Sequence, residues 1–324
     1  MKKILVTGAG GFIGSHLTEM CVEQGYEVRA LVHYNSMNSW GWLDKSEILS
    51  NIEVISGDVC DYKNTLRAMT GMDSVFHLAA LIGIPFSYVA SGAYVQTNII
   101  GTYNILESAR ELGLENIVIT STSETYGTAQ HVPMDENHPL VGQSPYSASK
   151  IAADQLAISY HRSFGLPVRI ARPFNAYGPR QSARAIIPTI MAQIVKNKKE
   201  LKIGNTEPSR DLTFVRDTAS GILAIAHSKD ATGEVINIGM QEETKIGDLA
   251  HMIARIAGVE IELKIESQRV RSKESEVHRL LCDKSKINKL TDWQPEYTLE
   301  RGLKETFEWI KDHIDQYKSD IYNL

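Results

Sequence analysis

The residues of this sequence best suited to acid–base chemistry lie in two short runs. The first run holds Thr122, Ser123 and Glu124, directly after an apolar stretch typical of a buried strand. The second holds Tyr146 and Lys150, whose spacing of four places both side chains on one face of a helix. Since a nearby ammonium favours the ionised phenol, we expect Lys150 to lower the pKa of Tyr146 from about 10 toward that of a working general base.

The elements that must position these runs are visible in the hydrophobic pattern. The first two-thirds of the chain alternates short β-branched stretches with amphipathic helical ones, which predicts an α/β fold with a doubly wound parallel sheet. The predicted strands are 3–7, 27–32, 52–56, 74–78, 116–120 and 168–171, and the predicted helices are 12–24, 93–112 and 145–164. Residues 34–42 show no clean period and are interpreted as a long loop.

After about residue 175 the alternation weakens and the segments become shorter and more charged. We therefore assign residues 1–175 to a dinucleotide-binding domain and residues 176–324 mainly to a smaller substrate-binding lobe, with some segments returning to the first domain. No internal repeat or linker divides the chain further.

Composition and charge limit the class of protein. The 324 residues are 43% hydrophobic and 23% charged, as in an ordinary globular chain, and a net charge of −5 gives no reason to expect nucleic acid or an anionic membrane as a partner. No apolar stretch approaches the length of a membrane span. Cys21, Cys60 and Cys282 lie far apart, and the ten histidines show no metal-ligand spacing. We expect a cytoplasmic protein without a metal site.

A glycine-rich turn follows the first predicted strand and opens the first predicted helix, which is the context that a dinucleotide fingerprint requires. Glycines permit a tight turn and close backbone approach, so the start of the helix can hold a pyrophosphate. The turn predicts a Rossmann-type sheet. Its candidate cofactor-binding residues are Gly8, Gly10, Gly11, Phe12, Ile13 and Gly14.

Other strand ends should face the same crevice. The third predicted strand is followed by Asp58 and Val59, and the fourth leads into Leu78, Ala79 and Ala80. All five are candidate cofactor-binding residues.

The second strand lacks the carboxylate that usually holds the ribose 2′-hydroxyl of NAD. NAD and NADP both stay open as cofactors, with His33 or Arg29 available to a 2′-phosphate. Arg29 is alternatively a solvated strand residue.

With these pieces together, the chain resembles an extended short-chain dehydrogenase/reductase acting on nucleotide sugars, over nearly its whole length. Residues 172–179 (RPFNAYGP) and 210–215 (RDLTFV) are similar to the segments that bind the substrate diphosphate in that family. The pair Ser123–Glu124 resembles the Ser-Glu pair of GDP-mannose 4,6-dehydratases, whereas epimerases have no carboxylate at the second position. Uronate decarboxylases also carry a Thr-Ser-Glu run and stay as a rival, as does a 4-epimerase.

Finer details resemble the 4,6-dehydratases of legionaminic acid biosynthesis, which act on a nucleotide-activated N-acetylglucosamine. These details are residues 35–43 and the run RQSAR at 180–184. The identity of the nucleotide stays open among UDP, GDP, CDP and dTDP.

The resemblance implies a reaction in which the cofactor, bound tightly to Tyr146, Lys150 and the glycine turn, is recycled within each turnover. Tyr146 takes the proton of the 4-hydroxyl group while hydride leaves C4, and Thr122 orients that hydroxyl. Glu124 removes the C5 proton. Since Ser123 alone is a poor acid, either Glu124 or a water held by Ser123 protonates the departing 6-hydroxyl group.

The resemblance also implies a set of substrate-binding residues. Several have a plainer alternative, since each arginine can be a surface charge and Asn98 can be a helix-interior amide bonded to the backbone. The set is Asn98, Asn175, Arg180, Arg184, Arg210 and Arg271.

Two further expectations concern partners and class. The resemblance implies a homodimer built on a four-helix contact between the predicted helices 93–112 and 145–164 and those of a second copy. A dinucleotide-sensing regulator is the rival from another class, although such proteins commonly lose the Tyr or the Lys that this chain retains.

Overall fold

The computed structural model describes residues 2–270, 273–318 and 321. Its strands are β1 Lys3–Thr7, β2 Glu27–His33, β3 Ile52–Gly57, β4 Ser74–His77, β5 Asn116–Thr120, β6 Val168–Pro173, β7 Asn175–Tyr177, β8 Glu200–Ile203, β9 Ser209–Phe214, β10 Val235–Ile238, β11 Glu243–Lys245 and β12 Glu262–Ile265. Its α-helices are α1 Phe12–Glu23, α2 Tyr62–Met69, α3 Ile84–Val89, α4 Ser91–Tyr94, α5 Gly101–Leu112, α6 Pro145–Phe164, α7 Ile186–Val195, α8 Val215–His227, α9 Ile246–Ala257, α10 Ser285–Leu290 and α11 Leu299–Asp312.

Shorter helical turns connect these elements. A π-helical turn lies between α4 and α5, at Val95–Ile100. The 3₁₀ turns are Gly41–Lys45, Glu47–Asn51, Ser123–Tyr126, Ser267–Arg269, Lys273–Ser275 and Ile314–Gln316.

Seven parallel strands form the central sheet, in the order β10-β6-β5-β4-β1-β2-β3. The order reverses beside β1, which creates the crevice in which doubly wound sheets bind ligands. The predicted doubly wound parallel sheet is confirmed.

Both faces of the sheet are covered, because successive side chains of each strand point to opposite faces. In β1, Ile4 and Val6 pack with α1 and α8, whereas Leu5 packs with α2, α5 and α6. This burial on both sides explains why the strands are nearly continuous apolar runs in the sequence.

The second half of the chain divides its elements between the sheet and a smaller lobe. Helix α8 packs on one face of the sheet, and β10 pairs with β6 at its edge. Helix α10 packs against the same core, whereas α7, α9 and α11 form a separate apolar core with the sheets β11-β9-β7 and β12-β8. The boundary near residue 175 stays a prediction.

The predicted helix 93–112 is wrong as a single element, since the structure divides it into α4, the π-helical turn and α5. The turn contains Asn98, whose amide bonds to the backbone of Leu81 in both directions. At Gly101, where α5 starts, an added Cβ would lie 2.7 Å from the side chain of Val59. The π-helical turn therefore lets this helical segment contact both the loop after β4 and the residues that follow β3. π-Helical turns within α-helices are frequent at functional sites.

Within residues 2–270, 273–318 and 321, none of the helices combines the length and the apolar character that a membrane span requires. The same residues contain no group of histidine, cysteine, aspartate and glutamate side chains that could hold a metal ion.

Candidate active site

A cavity of about 820 Å³ lies between the carboxyl ends of the central strands and the lobe. The glycine turn after β1 lines it from the sheet side. So do the two candidate catalytic runs, which are Thr122 to Glu124 and the pair Tyr146 and Lys150. Leu212 of β9, Ile203 of β8 and Ile246 of α9 line it from the lobe. Its position at the switch point of the sheet is where this architecture binds its ligands.

The glycine turn is shaped by close backbone contacts. Gly8 has φ of +70°, and a Cβ there would lie 2.8 Å from the backbone nitrogen of Ala79. A Cβ at Gly14 would lie 2.1 Å from the carbonyl oxygen of Gly8. Helix α1 then starts at Phe12 without a side-chain cap on Gly11, so its first N–H groups stay available to an anion.

The loop after β2 folds back over this turn. Trp42 donates its backbone N–H to the carbonyl of Gly10 at 3.0 Å. A Cβ at Gly10 would lie 2.3 Å from the carbonyl oxygen of Trp40, so Gly10 serves this contact as well as the ligand. Asp44 holds the loop by accepting from the backbone of Trp40 and the hydroxyl of Ser39. The interpretation of 34–42 as a loop is confirmed, except that Gly41–Lys45 forms a 3₁₀ turn.

Of the other candidate cofactor residues, Leu78, Ala79 and Ala80 line the cavity. Their backbone is held by Thr7, whose hydroxyl accepts from the N–H groups of Leu78 and Ala79. Thr7 is fixed in turn by the buried ring of His77 at 2.8 Å, and burial lowers the pKa of that ring to about 3.

His33 also lines the cavity, at the end of β2. The described residues lining the cavity do not include Asp58 or Val59, at the end of β3. Arg29 lies elsewhere, because its guanidinium donates to Glu53 and to the backbone carbonyls of Ala68 and Thr70 at the end of α2. The idea that Arg29 meets a cofactor phosphate is therefore wrong.

The two catalytic runs are brought together as predicted. The hydroxyl of Thr122 lies beside the phenol of Tyr146 and lowers its pKa. Ser147, next to Tyr146, donates its hydroxyl to the backbone carbonyl of Glu124 at 2.7 Å. All five candidate catalytic residues line the cavity; they are Thr122, Ser123, Glu124, Tyr146 and Lys150.

The expected direction of the Tyr146 pKa is wrong. Tyr146 is only 7% exposed, and burial raises the pKa of its phenol. The neighbouring hydroxyl of Thr122 opposes this rise, whereas the charge of Glu124 adds to it. The ammonium of Lys150 is directed at the carbonyl of Thr120, at 2.7 Å, and burial lowers its own pKa.

The candidate substrate residues divide into two groups. Asn175, Arg184 and Arg210 line the cavity. Arg180 is instead held in a two-pronged ion pair with Glu19 of α1, at 3.0 and 2.9 Å, and is not among the described lining residues.

Asn98 is likewise absent from the described lining residues. Its amide ties the loop at Leu81 to Ser149 of α6, so it supports the site from behind. The alternative of a backbone-bonded helix amide is therefore confirmed, and the assignment of Asn98 to the substrate stays a prediction. Arg271 lies outside the described residues.

Sequence reasoning missed several polar residues of the cavity wall, among them Glu276 and Gln181. Glu276 is buried beside Arg210, with 3.8 Å between its Oε1 and Nη2 of the arginine. It lies in an irregular charged stretch that carries no periodic signal. Gln181 lines the cavity with a buried side-chain oxygen that has no partner among the described residues, and the same holds for Asn175.

The cavity fits a dinucleotide and a second polar ligand. The glycine cradle leaves no space for side chains, and an uncapped helix start faces it. The side chains of Asn175, Arg184 and Arg210 line the rest of the cavity and offer polar and charged partners to the second ligand.

Comparison with known proteins agrees with this geometry. Residues 5–306 match the family model described as GDP-mannose 4,6 dehydratase. The dTDP-D-glucose 4,6-dehydratase of Mus musculus is 30% identical, over 98% of this chain and 91% of that protein.

Solved structures are similar across the whole chain. The UDP-glucuronic acid 4-epimerase of Bacillus cereus, in complex with UDP-glucuronic acid and NAD, has a TM-score of 0.87 at 31% identity, covering 96% of this chain and 99% of that one. The dTDP-glucose 4,6-dehydratase of Streptomyces venezuelae, with NAD bound, has a TM-score of 0.87 at 28% identity, covering 98% and 99%. Structural neighbours of this chain thus include NAD-bound dehydratases and epimerases, which supports NAD(P) as its cofactor.

Proposed function

Since the chain belongs to the GDP-mannose 4,6-dehydratase family of NAD(P)-dependent nucleotide-sugar dehydratases and epimerases, we propose that it is a nucleotide-sugar 4,6-dehydratase. The observation that carries the proposal is the position of Glu124 in the cavity wall. Its side chain lines the cavity near enough to Tyr146 for its charge to raise the pKa of the phenol. A 4-epimerase needs no base at C5, whereas a dehydratase does.

In the proposed reaction, C4 of the sugar is oxidised, water leaves across C5 and C6, and hydride returns to C6 while a proton returns to C5. The glycine turn, Tyr146 and Lys150 would hold the dinucleotide, which would supply a hydride acceptor for C4, a hydride donor for C6 and a positive charge that favours ionisation of Tyr146. Tyr146 receives the proton of the 4-hydroxyl group, and Thr122, which lies beside the phenol, orients that hydroxyl.

Elimination is assigned to the residues that follow Thr122. The new ketone acidifies the C5 proton, and Glu124 removes it as a general base. The 6-hydroxyl group then leaves as water, with a proton from Glu124 or from a water held by Ser123. Ser123 is buried at the cavity wall, where it can hold such a water.

For the substrate we propose nucleotide-activated N-acetylglucosamine. The support is the resemblance of residues 35–43 and 180–184 to dehydratases of legionaminic acid biosynthesis. Within the second segment, Gln181 and Arg184 line the cavity. The loop 35–43 instead covers the glycine turn, so its resemblance concerns the cofactor side of the site.

A uronate decarboxylase is the second candidate, favoured by Arg184. Its guanidinium lies beside Gly83, and its charge acts on Tyr94, whose ring packs edge-on against Tyr146. A cation this close to the candidate base suits a C6 carboxylate. An enzyme with this cavity would then oxidise C4 of a uronate and release the C6 carboxylate as carbon dioxide.

A mass-spectrometric screen of UDP-, GDP-, CDP- and dTDP-linked hexoses, N-acetylhexosamines and uronates tests both candidates. The proposed dehydratase converts a hexose to a product lighter by one water. Loss of carbon dioxide from a uronate supports the second candidate, and a product of unchanged mass with inverted C4 contradicts both.

We expect the purified protein to carry tightly bound NAD or NADP, because a cofactor recycled within each turnover gains nothing from release. Gly14→Ala should lose it, since the new Cβ would lie 2.1 Å from the carbonyl oxygen of Gly8. Gly92→Ala is the control, because a Cβ there meets nothing within 4 Å. Ion-exchange chromatography of the denatured supernatants measures the nucleotide. Absence of dinucleotide from the wild type, with no thermal stabilisation on adding NAD or NADP, would contradict the proposal.

We also propose that the protein is a homodimer located in the cytoplasm. Apolar side chains are exposed along the π-helical turn, α5 and α6, at Val95, Ile100, Tyr103, Leu112 and Phe164. A four-helix contact with a second copy would cover them. Sedimentation should give twice the chain mass of 36.1 kDa, and a monomer at micromolar concentration would refute the dimer.

The support for the cytoplasmic location is that all three cysteines are free, which suits a reducing compartment.

A further inference from the structure

A buried ion pair lies directly behind the two catalytic runs. Arg172, near the end of β6, donates from Nη2 to Oδ2 of Asp154 on α6 at 2.8 Å, and the two side chains are 2% and 0% exposed. Neither is among the described residues that line the cavity. The pair therefore acts on the reaction through other residues.

The pair holds the first catalytic run, residues 122–124, on both sides. Before the run, Ser121 donates its hydroxyl to Oδ2 of Asp154 at 2.6 Å. After the run, the ring of Tyr126 lies under the guanidinium of Arg172, 4.6 Å from the ring centroid. The backbone between these two anchors carries the residues assigned to C4 and C5 chemistry.

The second run is tied to the same pair. Asp154 follows Lys150 by one helical turn on α6. Burial lowers the pKa of Lys150, and the Asp154 carboxylate opposes that shift. The same carboxylate adds to the rise in the pKa of Tyr146. Arg172 neutralises this carboxylate, so the charge that Lys150 and Tyr146 experience depends on both members of the pair.

We propose that Asp154 and Arg172 are positioning residues for C4 oxidation, fixing the first catalytic run against Tyr146 and balancing the charge behind Lys150. A buried ion pair gains little net stability over apolar side chains of the same volume, so we assign to this pair the role of fixing one geometry. The inference rests on the C4 oxidation of the proposed function and is independent of the dehydration that follows.

Other charged or titratable groups also face these residues and must stay unchanged in any test. Around Tyr146 they are Glu124 and Tyr94; around Lys150, His77; and around Arg172, Tyr126 and Glu136.

The test compares Asp154→Asn, Arg172→Met and Arg172→Lys with a matched control, Arg169→Met. Arg169 is a buried arginine on the same strand, but it bonds to Asn116 at the start of β5 and to the carbonyl of Ser228, away from the cavity. Circular dichroism and urea unfolding establish which variants fold. Steady-state kinetics with the substrate from the screen then give kcat and KM across pH.

We expect Asp154→Asn and Arg172→Met to lower kcat roughly a hundredfold, as a displaced catalytic group does, with KM within about twofold of wild type. The acid limb of the pH profile of kcat should move in opposite directions in these two variants. Asp154→Asn leaves an uncompensated cation and moves the limb to lower pH, whereas Arg172→Met leaves an uncompensated anion and moves it to higher pH.

Arg172→Lys keeps the charge but loses the planar group over Tyr126. It should keep the wild-type limb and still lower kcat about tenfold. Since this variant preserves the buried charges, it is the one to rely on if Asp154→Asn or Arg172→Met does not fold.

Arg169→Met should keep the kcat and the limb of the wild type. Equal limb shifts in all variants, or wild-type kcat in Arg172→Lys, would overturn the proposal and leave the pair a purely stabilising feature. A wild-type enzyme that oxidises C4 without losing water would refute the dehydration alone.

Discussion

Tyr146→Phe is expected to lower turnover at least about a thousandfold, because it removes the only atom of that side chain that can take the 4-hydroxyl proton. The ring keeps its buried place and its edge-on contact with Tyr94, so nucleotide-sugar binding should change little. The loss therefore belongs in kcat and leaves KM nearly unchanged. Initial rates across substrate concentration, with the substrate from the mass-spectrometric screen, measure both.

Tyr94→Phe is the matched control for this experiment. Its phenol is also buried and bonds to the carbonyl of Gly83, but the residue is not among those described as lining the cavity. It should keep turnover within roughly fivefold of wild type. Near wild-type turnover in Tyr146→Phe would show that another group is the base.

Glu124→Gln should separate oxidation from elimination. The amide has nearly the shape of the carboxylate but cannot accept the C5 proton, while Tyr146 and Thr122 are untouched. Reduced nicotinamide should therefore accumulate on mixing with substrate, and the dehydrated product should form at least about a hundredfold more slowly. Absorbance of the reduced cofactor and mass spectrometry of the sugar measure the two events, and solvent deuterium should no longer enter C5.

Glu276→Gln is the matched control, because it removes a carboxylate from the cavity wall that is not assigned to the C5 proton. Glu276 lies beside Arg210 in the lobe, so its amide variant should alter KM without accumulation of reduced cofactor. Unchanged dehydration by Glu124→Gln would make that glutamate a bystander, and the proposed reaction would lose its main support.

The positions of the glycine turn and of the two candidate catalytic runs could be predicted because the sequence patterns that mark them are local. Gly8, Gly11 and Gly14 follow a strand and open a helix, and this order alone places them at the carboxyl edge of a parallel sheet. Tyr146 and Lys150 share a helix face through their spacing, and Thr122 follows a strand that must end at the same edge.

Other features depend on which distant segments meet, and no local pattern encodes that. Arg180 and Arg184 have similar sequence surroundings, yet Glu19 of α1 binds the first while the second lines the cavity. Glu276 reaches Arg210 from an irregular segment more than sixty residues away.

The electrostatics of the site were likewise decided by packing. Helical spacing predicts that Lys150 lowers the pKa of the Tyr146 phenol, but the ammonium is directed at the carbonyl of Thr120, and burial and the charge of Glu124 raise that pKa. Asp154 and Arg172 look like ordinary charges in the sequence, and only the tertiary structure places them together without solvent. The sequence by itself determined that the glycine turn, Thr122 to Glu124, Tyr146 and Lys150 face the crevice, because the order of strand and helix along the chain and the helical period are local. The solvation and partners of those groups follow from long-range packing, which sets the dielectric around each charge.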